Sequence, residues 1–213
     1  MSITLQGYKY SVYTWIVRAC LHEKNATYDY LEIDPFSDNV PGEFLELNPF
    51  GNVPVLSHGS FKLYETASIT AFIDRKLEGT SLHPESVEAL ARMQQIIAIV
   101  DTYGYWPMIR QVFAQCVFAP AFAETPQEDQ IKEGLERSKT VLRALETISA
   151  EGLQLTGKNF SLADIHLGPM LSYFTQAEEG ARMLTCFPAL QDWWESIRER
   201  DCFTATKPDL PGA

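Results

Sequence analysis

The residues best placed to do chemistry lie in two short segments. Glu65-Thr66 opens a predicted helix that runs from Thr66 to Leu77. A helix N-terminus offers unpaired N–H groups and the positive end of the helix dipole, which together seat a carboxylate. Glu65 alongside can take an ammonium group, so the pair suits the head of a free amino acid, which carries both charges. The structural alternative is that Glu65 and Thr66 only cap the helix, the commoner use of such residues. The second segment, NPFGNVPVL from Asn48 to Leu56, puts Pro49 and Gly51 in a turn and Val53-Pro54 at the entrance to a strand. A proline at the head of a strand leaves the backbone of the preceding residue outside the sheet ladder and open to a ligand. Only about 5–6% of X–Pro bonds are cis, so Pro54 read alone is the end of a loop.

The elements that must position these segments divide near residue 80. Upstream, Ile3 to Leu5 and Tyr28 to Ile33 are rich in β-branched and aromatic residues, and Val12 to Lys24 between them forms a helix with Ile16, Ala19 and Cys20 on one face. Val53 to Leu56 and Phe61 to Tyr64 flank Ser57-His58-Gly59-Ser60 as a hairpin, and the helix from Thr66 turns Ile69, Phe72 and Ile73 inward. Beyond Glu78-Gly79-Thr80 the alternating strand pattern disappears, which predicts helices at Val87 to about Phe118, Glu128 to Ser149, Leu162 to Ala177 and Pro188 to Arg200. The first of these is one helix or two, kinked at Trp106-Pro107 because proline cannot donate a backbone N–H. Lys207 to Ala213 reads as a loose tail.

Composition narrows the function classes. The 213 residues suffice for one large or two small domains, and 46% hydrophobic with 21% charged residues is an ordinary globular mix. A net charge of −11 opposes broad contact with nucleic acid or an anionic membrane. Cys20, Cys116, Cys186 and Cys202 are scattered singly, as expected of reduced thiols in the cytoplasm. His22, His58, His83 and His166 lack metal-ligand spacing, so no metal site is expected. No basic start followed by an apolar run, and no stretch near the roughly 18 apolar residues of a membrane helix, directs the chain to export or insertion.

Taken in order, NPFGNVPVL and Glu65-Thr66 resemble the glutathione-binding domain of the cytosolic glutathione transferases, of a bacterial type close to the serine-using phi and theta classes. The resemblance spans nearly the whole chain. It implies an α/β thioredoxin-like N-terminal domain (βαβ-α-ββα) over residues 1–79 and an all-α C-terminal domain over 86–213. It also implies glutathione as co-substrate and a homodimer. By the same resemblance, Val53, before the cis-proline Pro54, pairs with the cysteinyl backbone of glutathione. Glu65 and Thr66 then hold its γ-glutamyl ammonium and carboxylate, and Asn52 helps place the peptide. Phe50 falls at the family's interface hook.

The catalytic residue implied is Ser11, just before the first helix. A thiol of pKa near 8.5 is only slightly ionised at neutral pH, and its thiolate is the nucleophile. A hydrogen bond from Ser11 Oγ favours the charged form, helped by the helix N-terminus. Tyr8, Tyr10 and Tyr13 also carry hydroxyls, and other classes use tyrosine here. The register with the helix favours Ser11 over Tyr10. As an N-cap Ser11 would do both jobs. Members that form a mixed disulfide with glutathione need a cysteine in this loop, and Met1 to Ala19 contains none.

The resemblance departs at Ser37-Asp38-Asn39-Val40-Pro41-Gly42, where phi-like members carry a cation for the glycyl carboxylate. Asn39, Asn52 or a residue of the second domain is left to serve. For the second, apolar substrate, Tyr10 and the cluster of Tyr103, Trp106 and Arg110 form the expected pocket, the last three close at helical spacing; Asp101 resembles an acid that reaches across the dimer. Ser161-Leu162-Ala163-Asp164 is a capping box with Phe160 and Ile165 as its staple. The reading is conjugation of glutathione to a hydrophobic electrophile. Peroxidase, isomerase or dehalogenase chemistry with the same sulfur, or a non-catalytic binding module of the same fold, are the alternatives.

Overall fold

The computed structural model describes residues 2–210. They form two compact units. Residues up to Ser81 cluster with Ala205–Pro208, and Leu82–Thr204 form the second cluster. In the first, β1 (Ile3–Gly7), α1 (Val12–Glu23) and β2 (Asp29–Glu32) make a β-α-β unit. Next come α2 (Gly42–Leu47), the hairpin β3 (Val55–His58) and β4 (Phe61–Tyr64), and α3 (Thr66–Lys76). The sheet order is β2-β1-β3-β4, with β1 and β2 parallel and the other pairs antiparallel. This is the thioredoxin-like order, and α2 occupies the place of its intervening helix.

Alternation in β1 buries Ile3, Leu5 and Gly7. Leu5, Ile16, Leu56, Ile69 and Ile73 are at most 1% exposed. Each such side chain contributes about 1.5–3 kcal/mol when fully buried, which fixes α1 and α3 on the sheet. A Cβ on Gly7 would lie 2.5 Å from Thr14 Cγ2, so the end of β1 meets the first turn of α1 where no side chain fits. Phe72 is only half-buried, with its ring against Phe61 at 5.1 Å and His58 at 5.9 Å, because it sits at the flank of the inward face held by Ile69 and Ile73.

The second unit is helical: α4 (Val87–Ile99), a wide-turn segment (Val100–Phe118), α5 (Ala119–Ala121), α6 (Glu128–Ala150), α7 (Leu162–Phe174), α8 (Glu178–Leu184), α9 (Pro188–Ile197) and α10 (Asp201–Thr204). Helix runs without a break from Val87 to Ala121. Of the two expected arrangements it is the single run, which widens to i→i+5 turns from Val100 to Phe118 and takes Pro107 inside it. Helix α6 crosses this segment at Gly134, where a Cβ would lie 2.6 Å from Gln111 Cβ and 2.9 Å from the Pro107 carbonyl.

Helix α7 is the core of this unit, with twelve of its residues buried. Its capping box is made: Ser161 N–H donates to Asp164 Oδ2 at 2.8 Å and Ala163 N–H donates to Ser161 Oγ at 3.2 Å. Asp164 also accepts from the Trp193 indole at 2.6 Å, linking α7 to α9. Burial raises its pKa, against the lowering effect of those hydrogen bonds. Ile165 is fully buried as the expected staple requires, whereas Phe160 is half-buried against Phe203 at 5.9 Å, under the Arg200 guanidinium.

The tail departs from expectation. Thr206 and Pro208 are buried, and Ala205–Pro208 pack with the first unit. Of the segment from Lys207 to Ala213 expected to be loose, Lys207 and Asp209 are exposed and Leu210 half-buried, and residues 211–213 lie outside the described residues.

Candidate functional site

Strand register gathers the chemistry at one end of the sheet. Gln6 pairs with Val55, and Val55 pairs with Tyr64. The loop after β1, the chain entering β3 and the chain leaving β4 therefore emerge side by side. Those three carry Ser11, Val53-Pro54 and Glu65-Thr66.

The loop after β1 is tied down at both ends. Glu32, at the end of β2, accepts from Lys9 N–H at 3.1 Å and from the Tyr30 hydroxyl at 2.8 Å. Ser11 N–H donates to the Tyr8 carbonyl at 2.9 Å. Ser11 is the N-cap of α1, and its Oγ accepts from Thr14 N–H at 3.3 Å. That bond uses a lone pair of the hydroxyl and leaves its proton to donate elsewhere. Tyr10 lies edge-on to Tyr8 at 5.4 Å, with the Lys9 ammonium over its ring at 4.8 Å. Burial, helped by Asp34, Tyr10 and Glu32, pushes the Tyr8 phenol up to about 12, so it is neutral at physiological pH.

Val53-Pro54 is cis. The β1–β3 ladder stops at Val55, which leaves Val53 outside the sheet. The turn before it is built by Asn48, 1% exposed: its Nδ2 donates to the Asn52 carbonyl at 2.8 Å and its Oδ1 accepts from Phe50 N–H at 3.1 Å. Asn48 N–H in turn holds the Phe44 carbonyl of α2 at 3.0 Å. Asn48 was not singled out from the sequence, although an asparagine opening a Pro-Phe-Gly turn is the signal for such side chain to backbone bonding. Asn52 is exposed.

Glu65 has φ 72° and ψ 113° and makes no side-chain cap on α3. A non-glycine residue held at positive φ carries strain of about 1–3 kcal/mol and marks functional positions. The carboxylate is exposed while Thr66 is buried. The first bond of α3 runs from Ile69 N–H to the Glu65 carbonyl at 2.9 Å, so the amides of Thr66, Ala67 and Ser68 lie outside the helix ladder. The simple capping role for Glu65 is thus absent.

The loop from Asp34 to Pro41 offers hydrogen bonds but no cation. Phe36 N–H donates to Asp34 Oδ1 at 2.9 Å, and Asn39 N–H donates to Ser37 Oγ at 3.2 Å.

Tyr103, Trp106 and Arg110 are all exposed on the wide-turn segment of the helical unit. The i→i+5 geometry changes their company: the Arg110 guanidinium is near enough to the Tyr105 phenol, five residues earlier, to act on its pKa. Burial raises the Tyr105 phenol and Arg110 opposes the shift. Spacing appropriate to an α-helix misses Tyr105. Asp101 Oδ1 lies 3.7 Å from His166 Nδ1 inside its own helical unit.

Comparison with known proteins agrees with the fold. The model for the glutathione S-transferase N-terminal domain matches residues 5–81, and that for the C-terminal domain matches residues 105–201. The chain is 30% identical over 214 residues to Glutathione S-transferase F13 of Arabidopsis thaliana, covering 99% of this chain and 97% of that protein. It is 30% identical over 209 residues to Glutathione S-transferase 4 of Zea mays, covering 96% and 92%. Glutathione S-transferase III in its apo form superposes with a TM-score of 0.85 at 27% identity, over 100% of this chain and 99% of that one. Glutathione transferase F7 from Populus trichocarpa gives 0.80 at 28% identity, over 96% and 97%. The organisms named are plants, so these likenesses favour the phi-like part of the expectation over its bacterial part. The chain belongs to the glutathione S-transferase family and is an enzyme of glutathione transfer.

Proposed function

We propose that the Ser11 hydroxyl donates a hydrogen bond to the sulfur of glutathione and holds it as the thiolate, which then attacks a hydrophobic electrophile. The observation that carries this is the register Gln6–Val55–Tyr64, which brings Ser11, Val53 and Glu65-Thr66 to the same end of the sheet. Each has a matching task on a γ-glutamyl peptide. The Val53 backbone, outside the ladder, pairs with the cysteinyl unit, and Asn52 beside it contacts the peptide. The exposed Glu65 carboxylate takes the γ-glutamyl ammonium, and the open amides starting at Thr66 take its carboxylate. Ser11 accepts from Thr14 and retains a proton to donate, and its position at a helix N-terminus adds the dipole to the stabilisation of a thiolate.

The thiol proton passes to solvent before attack; the sulfur then forms a bond to carbon as the electrophile loses its leaving group with the bonding pair, as chloride from a chlorinated nitroaromatic, or opens a π bond that is then protonated from solvent. Tyr10 beside Ser11, and in the helical unit Tyr103, Trp106 and Arg110, are the proposed contacts of the electrophile. The domains carrying these roles are residues 1–79 and 86–213, except that Ala205–Pro208 belong to the first compact unit. Phe50, 67% exposed in the Asn48 turn, fits an interface hook and supports a homodimer. Among the described residues no helix is long and apolar enough to cross a membrane, and cysteines scattered singly along the sequence fit a cytoplasmic location. Retention on immobilised glutathione, lost in Glu65→Ala, tests the binding half of the proposal; conjugation of a chlorinated nitroaromatic by wild type and Ser11→Ala tests the chemical half.

A further inference from the structure

Trp15 and Thr206, 191 positions apart, meet in a buried hydrogen bond: the Trp15 indole Nε1–H donates to Thr206 Oγ1 at 3.0 Å. Trp15 is 1% exposed and Thr206 4%. Thr206 belongs to Ala205–Pro208, the short stretch in which the chain, having left the helical unit at Thr204, packs again with the first.

Trp15 is also part of the turn that carries Ser11. Its backbone N–H donates to the Ser11 carbonyl at 3.0 Å, the first bond of α1, and Thr14 N–H donates to Ser11 Oγ in the same turn. One residue is therefore bonded to Ser11 through its backbone and to Thr206 through its ring. A buried indole is oriented by its single polar group, which needs an acceptor. Loss of the Thr206 hydroxyl takes this acceptor from a buried indole N–H, a cost that a small shift of the ring, and with it of the turn, would relieve.

We infer that Thr206 is a positioning residue for Ser11: through the Trp15 indole it fixes the first turn of α1 in the orientation that aims the Ser11 hydroxyl at the sulfur. The inference rests on the Ser11 role proposed above. A hydrogen bond weakens steeply as its angle departs from linear, and small misplacements of reacting groups cost rate. The substrate itself needs no contact with Thr206 for this effect.

The test compares Thr206→Val, which keeps the shape and removes the hydroxyl, with Thr206→Ser, which restores it. The reading is the pH dependence of turnover at saturating glutathione, which reports the apparent pKa of the bound thiol. Thr206→Val is expected to raise that pKa and lower turnover at neutral pH about three- to tenfold, the size of one weakened hydrogen bond. The KM for glutathione stays unchanged and Thr206→Ser behaves as wild type. Added to Ser11→Ala, Thr206→Val has no further effect on the profile. Should Thr206→Val not fold, Trp15→Phe removes the same bond from the other side and is expected to give the same shift. A wild-type profile in Thr206→Val, or an equal loss in the Ser11→Ala background, overturns the inference. A silent Thr206→Val beside an altered Ser11→Ala overturns it alone; a silent Ser11→Ala overturns it together with the Ser11 role.

Discussion

Gln6 faces Val55 across the antiparallel β1–β3 ladder. Because side chains and loops follow from register, a slip of one residue would turn the buried face of β1 outward. The burial of Leu5 and Leu56, paired on the next rung, prevents that slip. The core thus places the end of β1 beside the entrance to β3, and with them the Ser11 loop beside Val53. The catalytic geometry proposed for this end of the sheet is a consequence of packing a few residues away.

Glu65→Gln removes the charge while keeping the shape of the side chain. A hydrogen bond to a charged group is worth about 1.5–3 kcal/mol, so glutathione affinity should fall roughly ten- to hundredfold. Titration calorimetry with glutathione measures this directly. Affinity equal to wild type would show that the exposed carboxylate has no part in holding the ammonium.

Tyr8 should remain a phenol well above pH 10. Burial favours its neutral form in the folded chain, raising it from 10.0 to about 12. The stability this neutral form contributes is present below the unfolded value of 10.0 and is lost as pH rises through about 12. A tyrosinate absorbance titration of wild type against Tyr8→Phe isolates the residue. Ionisation of Tyr8 near pH 10 would contradict the half-buried, acid-flanked setting of the residue.

Gly134→Ala should destabilise the helical unit by about 1–3 kcal/mol, the usual cost of overpacking. The added methyl would press on Gln111 and the Pro107 carbonyl where α6 crosses the wide-turn segment. Urea unfolding monitored by tryptophan fluorescence reads the loss. An unchanged midpoint would mean that the two helices do not approach so closely.

Much of this was legible from residue types. Pro, Gly and β-branched residues marked the short strands, and α1 begins at Val12 as expected because Ser11 is a good N-cap. Ser161 with Asp164 announced α7 for the same reason. What stayed hidden depended on contacts between distant residues or on unusual helix geometry. The i→i+5 turns around Pro107 paired Arg110 with Tyr105, a partner that α-helical spacing does not bring close. The tail from Lys207 looked loose because it holds two prolines and a glycine and has no apolar period, and the Trp15 indole that meets Thr206, just before it, lies 191 positions away in sequence. The positive φ of Glu65 had no local signal, since glycine or asparagine is the usual occupant of that region.

The central claim, that the Ser11 hydroxyl stabilises the thiolate of bound glutathione, is tested most directly by the pH dependence of turnover at saturating glutathione in wild type and Ser11→Ala. Losing a neutral donor to a charged sulfur should raise the apparent thiol pKa by about one to two units. Turnover at neutral pH should fall roughly ten- to hundredfold as the thiolate fraction drops, while Ser11→Thr keeps most of the activity. The N-cap is lost as well, at a cost of about 1 kcal/mol in stability, so the variant is assayed well below its unfolding temperature. A Ser11→Ala profile superimposable on that of wild type would contradict the claim and move the role to another hydroxyl.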